Sequence, residues 1–335
     1  MGRVLVFLVF IFGLIGCSQN PQFKADIIAE KSNNITAKNI AEKIFEKVKH
    51  YPQETYYYLF VNHQACYFEI MVNDVPAFKY FKEGQIITPI SINEFINKSG
   101  KQTITYKLYP LTKRASGDGF NTLLDWTSIK IELFQRNKAD TTGNAFASEK
   151  KVLEHSSLTK PDGKAFIAEG KDYYEYTFTF DAQVPYKNKG WENSEDLSKL
   201  DQKKLLAKTE NAYKQVWNIL EKKEADSYFN LIFNSYLETC QAEYTDKEKI
   251  EKIIKSNLLP FENKTYKLEP LEGYKMVLYG NGRIVSLDLV SMDPRLRNKW
   301  AIWGKYTDED DDISSRNIRF YLHIPKGKTN FEVIR

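Results

Sequence analysis

The sequence predicts a mostly β protein with α structure in its middle: an N-terminal antiparallel β-sandwich, a helical segment, and a C-terminal antiparallel β-meander. Three observations carry this. Short β-branched and aromatic runs recur from Tyr56 to Phe180, several with apolar side chains at every second position and turn residues between them. From about Ser194 to Leu258 the apolar spacing changes to three and four residues, the period of a helix. Strand-like runs then return on both sides of Asn281-Gly282. The 21 tyrosines and 21 phenylalanines point the same way, because aromatic rings suit a pleated, half-buried surface.

The first segment is an address. Arg3 supplies positive charge, and Val4 to Ile15 is an apolar run broken only by Gly13. The run is too short for the roughly 20 residues of a spanning helix. It fits the hydrophobic region of a secretory signal. It ends in Leu14-Ile15-Gly16-Cys17, which resembles the lipobox of bacterial lipoproteins. That resemblance implies cleavage after Gly16, so that 1–16 is a signal peptide, and attachment of lipid to Cys17. More than one acyl chain makes such an anchor stable, since each buried methylene contributes about 0.8 kcal/mol. An ordinary secretory signal with a coincident cysteine is the competing reading. Ser18, rather than aspartate, follows the cysteine. By the same resemblance this favours the outer membrane in a Gram-negative host. The expected location is the cell envelope, with the membrane as a partner through Cys17.

Residues 17–35 read as a polar tether. The next unit, 36–190, joins a helix to the sandwich. Thr36 is placed to cap that helix, and Ile40, Ile44, Phe45 and Val48 recur at helical spacing to about Lys49, before Pro52. Strands follow at Tyr56–Val61 and Cys66–Val72, then a turn at Asn73-Asp74-Val75-Pro76. Ile104, Tyr106 and Leu108 share one face of a strand, as do Ile129, Ile131 and Leu133, and Tyr174, Tyr176, Phe178 and Phe180. Within this unit, Phe68–Asp74, Gly84, Pro89–Ile92 and Lys98–Tyr106 resemble jelly-roll domains of the galactose-binding-like type. There a strand ends in an Asn-Gly-like turn and a later Gly-Lys-Asn turn launches an alternating strand. Asp74 and Gln102 depart from that pattern. The resemblance implies a β-sandwich more than it implies sugar binding.

Residues 191–260 carry helical stripes: Leu205, Leu206, Thr209, Ala212, Tyr213, Val216, Trp217 and Leu220, then Phe229, Ile232, Phe233, Tyr236, Leu237 and Cys240, then a helix capped by Asp246. In 261–335, Asn281-Gly282 is a strong hairpin signal, because both positions tolerate positive φ. Lys299–Tyr306 and Asn317–Ile324 are expected to pair around an acidic loop, and Phe331–Ile334 to add a last strand.

The chain carries +4, of which Arg3 leaves with the leader and no acid does, giving +3. Charges of both signs are interspersed, which speaks against nucleic acid as a partner. Only Cys66 and Cys240 remain after lipidation, in segments read as different units, so separate buried thiols are the simpler expectation than a disulfide.

Catalytic signatures are missing. The four histidines stand at no zinc spacing, and there is no nucleophile elbow, phosphate loop or dinucleotide fingerprint. His63 and Cys66, three apart on a strand, are expected on opposite faces. Asp118, Asp125 and Trp126 suggest two acids beside a sugar-stacking ring, against the plainer reading of a flexible turn and a packed Trp. Tyr56-Tyr57-Tyr58, Trp191, Trp300 and Trp303 are either a ligand platform or sheet packing. Asp308, Asp310 and Asp312 have the alternate spacing of calcium ligands, but Ile313 and Arg319 stand where a calcium loop needs Gly and Glu. A hydrated hairpin tip is the default there, with steering of a basic partner as a third option. Apart from that possible calcium, no cofactor is implied. The preferred function is a non-catalytic interaction protein that scaffolds or neutralises a protein partner; the alternative is a carbohydrate-binding or glycan-processing lipoprotein.

Overall fold

The computed structural model describes residues 34–114, 117–140 and 147–335. Cys17, the leader and all but the last residues of the tether lie outside them. The elements run α1 (Ile40–Phe45), β1 (Thr55–Gln64), β2 (Cys66–Val72), β3 (Val75–Tyr80), β4 (Ile90–Ser91), β5 (Gly100–Pro110), β6 (Lys113–Arg114), β7 (Gly117–Asp118), β8 (Ser128–Asn137), β9 (Lys150–Ser156) and β10 (Tyr174–Ala182). Then come α2 (Gln202–Glu221), α3 (Ala225–Ala242), α4 (Lys247–Asn257), α5 (Leu259–Glu262), β11 (Lys267–Leu268), β12 (Tyr274–Tyr279), β13 (Ile284–Leu289), β14 (Trp303–Thr307), β15 (Ile313–Asn317), β16 (Leu322–His323) and β17 (Glu332–Val333). No helix of the described residues is long and apolar enough to cross a membrane.

The N-terminal sandwich consists of two antiparallel four-stranded sheets, ordered β4-β1-β8-β9 and β10-β5-β2-β3. Alternation fixes which side chains turn inward. Ile129, Ile131 and Leu133 from β8 and Ile104, Tyr106 and Leu108 from β5 are buried in one core with Leu59, Phe68 and Ile70. Thus the phase read from the sequence holds. β2 departs from simple alternation, because every residue from Cys66 to Val72 is buried. Its outer face is covered from the C-terminal part: Asn298 Nδ2 donates to Glu69 (2.9 Å), and the Arg297 guanidinium lies over the Tyr67 ring.

Two tight turns shape the sandwich. Asn73 and Asp74 both adopt positive φ, so β2 and β3 join through a two-residue mirror-image turn matched to strand twist. Ala65, also at positive φ, is the corner where the chain leaves the first sheet at Gln64 and enters the second at Cys66. His63 and Cys66 are therefore not on opposite faces of one strand. Both are buried at this corner, and His63 Nδ1 lies 3.2 Å from the Cys66 carbonyl.

The second core is built from helices on a sheet. The α2 stripe Leu205, Thr209, Ala212, Tyr213, Val216 and Leu220 is buried, and Asp201 caps the helix through the Lys203 and Lys204 amides. Asp246 caps α4 through the Lys249 amide. These helices share apolar contacts with Val285, Leu287 and Leu289 of β13 and with Phe320 and Leu322. The C-terminal strands are antiparallel, ordered β12-β13-β16-β17 and β11-β14-β15. The Asn281-Gly282 hairpin is present, with Tyr279 opposite Ile284 and positive φ at residues 280, 281 and 282. At Gly280 a Cβ would stand 2.8 Å from the Trp191 ring.

Two expectations change. Helix α1 is shorter than its apolar pattern, and Ile40 and Ile44 join the helix-and-sheet core rather than the sandwich core. Thr36 still helps start it: Thr36 and Asn39 exchange side-chain-to-amide hydrogen bonds at 2.8 and 3.3 Å. The strand expected at Asn317–Ile324 is divided. β15 ends at Asn317 and pairs with β14, whereas Leu322 lies in the other sheet opposite Val285. The acidic tip is short, so the partner strand of β14 begins at Ile313, opposite Thr307.

Candidate functional site

Charged and apolar residues of three distant segments meet beside the β3 edge of the sandwich, around three adjoining clefts. The first, of about 650 Å³, is lined by His63, Cys66, Lys82, Gln85, Phe120 and Trp126, among others. The second, about 510 Å³, lies between the β3 end and the 294–299 loop and includes Lys79, Ile87, Arg295 and Lys299. The third, about 570 Å³, includes Tyr67, Lys113, Asp118, Met292 and Arg297. Lys82 and Gln85 are shared by the first two clefts, and Phe81 and Pro294 by the last two. The three therefore form one continuous face.

Its charge is lopsided. Among the described residues, the second and third clefts are lined by Lys79, Lys82, Lys113, Arg295, Arg297 and Lys299, against the single acid Asp118. Two of these cations are neutralised nearby: Lys79 by Asp288 at 3.2 Å and Arg295 by Asp293 at 2.7 Å. The Arg295 guanidinium holds the Asp293 carboxyl down to about 2. Arg297 lies 4.2 Å from the Phe81 ring centre and also faces Tyr109, so aromatic faces rather than a carboxylate support it. Lys82 lies over the Tyr80 ring. Lys299 makes no side-chain hydrogen bond or ion pair among the described residues, and burial, with the neighbouring Lys79 charge, lowers its pKa. Apolar groups project beside the cations: Ile87 is 87% exposed and Met292 72% exposed.

Asp118 and Trp126, adjacent in the sequence reading, line different clefts. Asp125 binds the Trp126 amide. Trp126, 55% exposed and edge-on to Phe120, is the one strongly exposed tryptophan of the five. The other proposed platform residues do not gather: Tyr57, Tyr58 and Trp191 are buried, and Trp300 and Trp303 are half-buried against different cores.

At the acidic tip, Asp308 turns its carboxylate inward on its own loop. Oδ1 accepts from the Asp310 and Asp312 amides at 3.2 and 3.0 Å, and Oδ2 accepts from Ser314 at 2.6 Å. Among the described residues no three His, Cys, Asp or Glu side chains are grouped to hold a metal.

Two constellations with the residue types of nucleophilic catalysis are closed off. Cys66 and Cys240 are free, buried thiols, and burial pushes each up to about 12, far from the thiolate a nucleophile needs. Ser194 Oγ lies 2.6 Å from His323 Nδ1, and His323 Nε2 lies 4.0 Å from Glu332, an arrangement the sequence did not suggest across 129 residues. Burial lowers His323 to about 4. Ser194 is buried and does not line the adjoining 170 Å³ cleft, so the trio ties the chain together instead of presenting an attacking oxygen.

Comparison of the chain with protein-family models, with curated proteins and with solved structures finds no match.

Proposed function

We propose that the chain is a lipid-anchored protein of the bacterial cell envelope that acts as a non-catalytic binding protein, with a protein as its partner. The single observation that carries the binding part is the continuous face of three clefts. Its rings, projecting Ile87 and Met292, and excess cations make a broad surface with an apolar centre. Such surfaces are the ones proteins use to hold partners. The anchor rests on the leader ending at Cys17, with Ser18 favouring the outer membrane in a host that has one.

A carbohydrate ligand is the second reading. One observation favours it: Trp126 stands exposed at the first cleft, near Glu83 and Gln85. A glycan site needs a stacking ring beside hydrogen-bonding groups, and this cleft offers one such ring. The protein-binding reading uses the whole face and is preferred for that reason.

Affinity capture from envelope extracts, followed by mass spectrometry, tests the choice alongside a panel of envelope glycans. A protein recovered in stoichiometric amount supports the first reading. Saturable binding of a glycan that is lost in Trp126→Ala, with no protein recovered, overturns it.

A further inference from the structure

We infer that the second and third clefts form a docking groove for an acidic segment of a partner protein, one that carries at least one large apolar side chain. This rests on the protein-binding reading and specifies the partner's chemistry.

The argument begins with charge. The clefts bring together four cations that have no carboxylate at salt-bridge distance among the described residues: Lys82, Lys113, Arg297 and Lys299. Asp118 is the one acid that the described lining of these two clefts sets against them, so the face is locally cationic. Lys299 is the most telling. It is half-buried, unpaired, and close enough to Lys79 to be repelled by it. A half-buried ammonium without a counter-ion of its own is a cost to the free protein, even where its neighbour Lys79 is paired with Asp288. An incoming carboxylate relieves that cost, so the groove gains most from an anion placed between Lys299 and Lys82.

Apolar groups set the second requirement. The exposed Ile87 lines the second cleft and the exposed Met292 the third, with Phe81 and Pro294 common to both. An acidic segment with a bulky side chain would cover these apolar groups while its carboxylates meet the flanking cations. Alternation of acid and apolar residues along an extended strand meets both demands, because successive side chains point to opposite sides. A flat anionic membrane fits less well. It would reach the projecting Ile87 and Met292, but Lys79 is almost wholly buried and Lys299 is recessed.

The test uses the purified full chain and a dye-labelled peptide that alternates aspartate with leucine, read by fluorescence anisotropy. Saturable binding is expected, weakening by about tenfold or more as salt rises from about 50 to about 300 mM, because screening removes the exposed part of the attraction. Lys82→Glu combined with Lys113→Glu, both at exposed positions, should weaken it by about tenfold, as should Lys299→Met on its own. Ile87→Ser should weaken binding with little change in the salt slope. The peptide with asparagine in place of aspartate should not bind.

Absence of saturable binding overturns the proposal, as does equal affinity in the Lys82/Lys113 variant with an unchanged melting curve. Vesicles of phosphatidylglycerol and phosphatidylethanolamine that bind the chain through the same residues, when the peptide does not, would assign the face to lipid and overturn it. Self-association lost in the same variants would give the groove to a second copy and also overturn it. Capture of one envelope protein equally by wild type and variants would leave the protein-binding reading standing while removing this groove from it.

Discussion

Lys79 Nζ lies 3.2 Å from the carboxylate of Asp288, joining strand β3 of the sandwich to strand β13 of the C-terminal sheet, with both side chains buried. Asp288 also accepts from the hydroxyls of Tyr279 and Ser286, each at 2.6 Å. The carboxylate thus has three partners, and the ammonium relies on this carboxylate and the Asn298 carbonyl.

That asymmetry predicts unequal costs. Asp288→Ala leaves a buried ammonium without its counter-ion and the Tyr279 hydroxyl without its acceptor, while Ser286 keeps the Tyr213 hydroxyl at 3.2 Å, and should lower stability by about 3–5 kcal/mol. Lys79→Met keeps the packed stem and leaves Asp288 with two donors, so it should cost clearly less. The double variant should cost less than the sum of the two. Urea denaturation measures all three. Equal losses for the single variants would show that the pair does not carry the junction.

Arg335 makes a second junction. Its buried guanidinium donates to Glu238 at 2.9 Å, Asn97 at 3.0 Å and the Glu94 carbonyl at 3.1 Å, and lies over the Trp191 ring. Lysine cannot reproduce this fork. Arg335→Lys should therefore cost roughly 1–3 kcal/mol, each lost buried bond leaving a group unsatisfied. Thermal denaturation that shows Arg335→Lys equal to wild type would refute the fork's contribution.

Acid should destabilise the protein through its histidines. His323 is lowered from 6.5 to about 4 by burial, and His63 and His155 are lowered by the same cause. The unfolded chain then takes up protons before the folded one does. Stability is complete above about pH 6.5 and falls as pH drops toward about 4, where His323 also protonates in the folded state. His323 alone contributes on the order of 2–3 kcal/mol to this loss. His323→Gln should flatten the pH dependence of the urea midpoint between those limits. An unchanged slope would remove His323 as its source.

Calcium should give no heat on titration into the protein. Asp308 is already occupied by two loop amides and the Ser314 hydroxyl, which leaves its carboxylate poorly placed to chelate. Saturable calorimetric heat that vanishes in Asp308→Asn/Asp310→Asn/Asp312→Asn would restore these residues as ligands.

The anchor is tested at Cys17. Cys17→Ala should abolish fatty-acid labelling and release the protein from the membrane fraction, because the proposed anchor places all the lipid on this residue. Labelling equal to wild type would refute the lipobox assignment.

The fold was legible where periodicity is local. β5 and β8 show their inward faces in sequence, since Ile104, Tyr106 and Leu108, and Ile129, Ile131 and Leu133, sit at strict alternation. The α2 stripe was readable for the same reason. The corner at Ala65 was not, because an alanine at positive φ carries no compositional signal. Without that corner, His63 and Cys66 read as opposed. The divided strand after Asn317 was also hidden, since the tip is closed by the Asp308 carboxylate and not by a recognisable turn pair. The cationic face was least legible. Its charges come from 79–82, 113 and 295–299, none of which is a basic run, and tertiary packing alone assembles them.

The covering of β2 by Asn298 and Arg297 has a temporal consequence. Glu69 meets a partner 229 residues further along the chain. A chain emerging from its N-terminus can form the sandwich core, yet the outer face of the second sheet stays uncovered until the C-terminal loop arrives. Contacts of such long sequence separation form late and slow the last stage of folding. Until then, Tyr67, Glu69 and Met71 lie open to the wrong neighbours, so the nascent protein's period of greatest vulnerability ends only when its final quarter has been delivered.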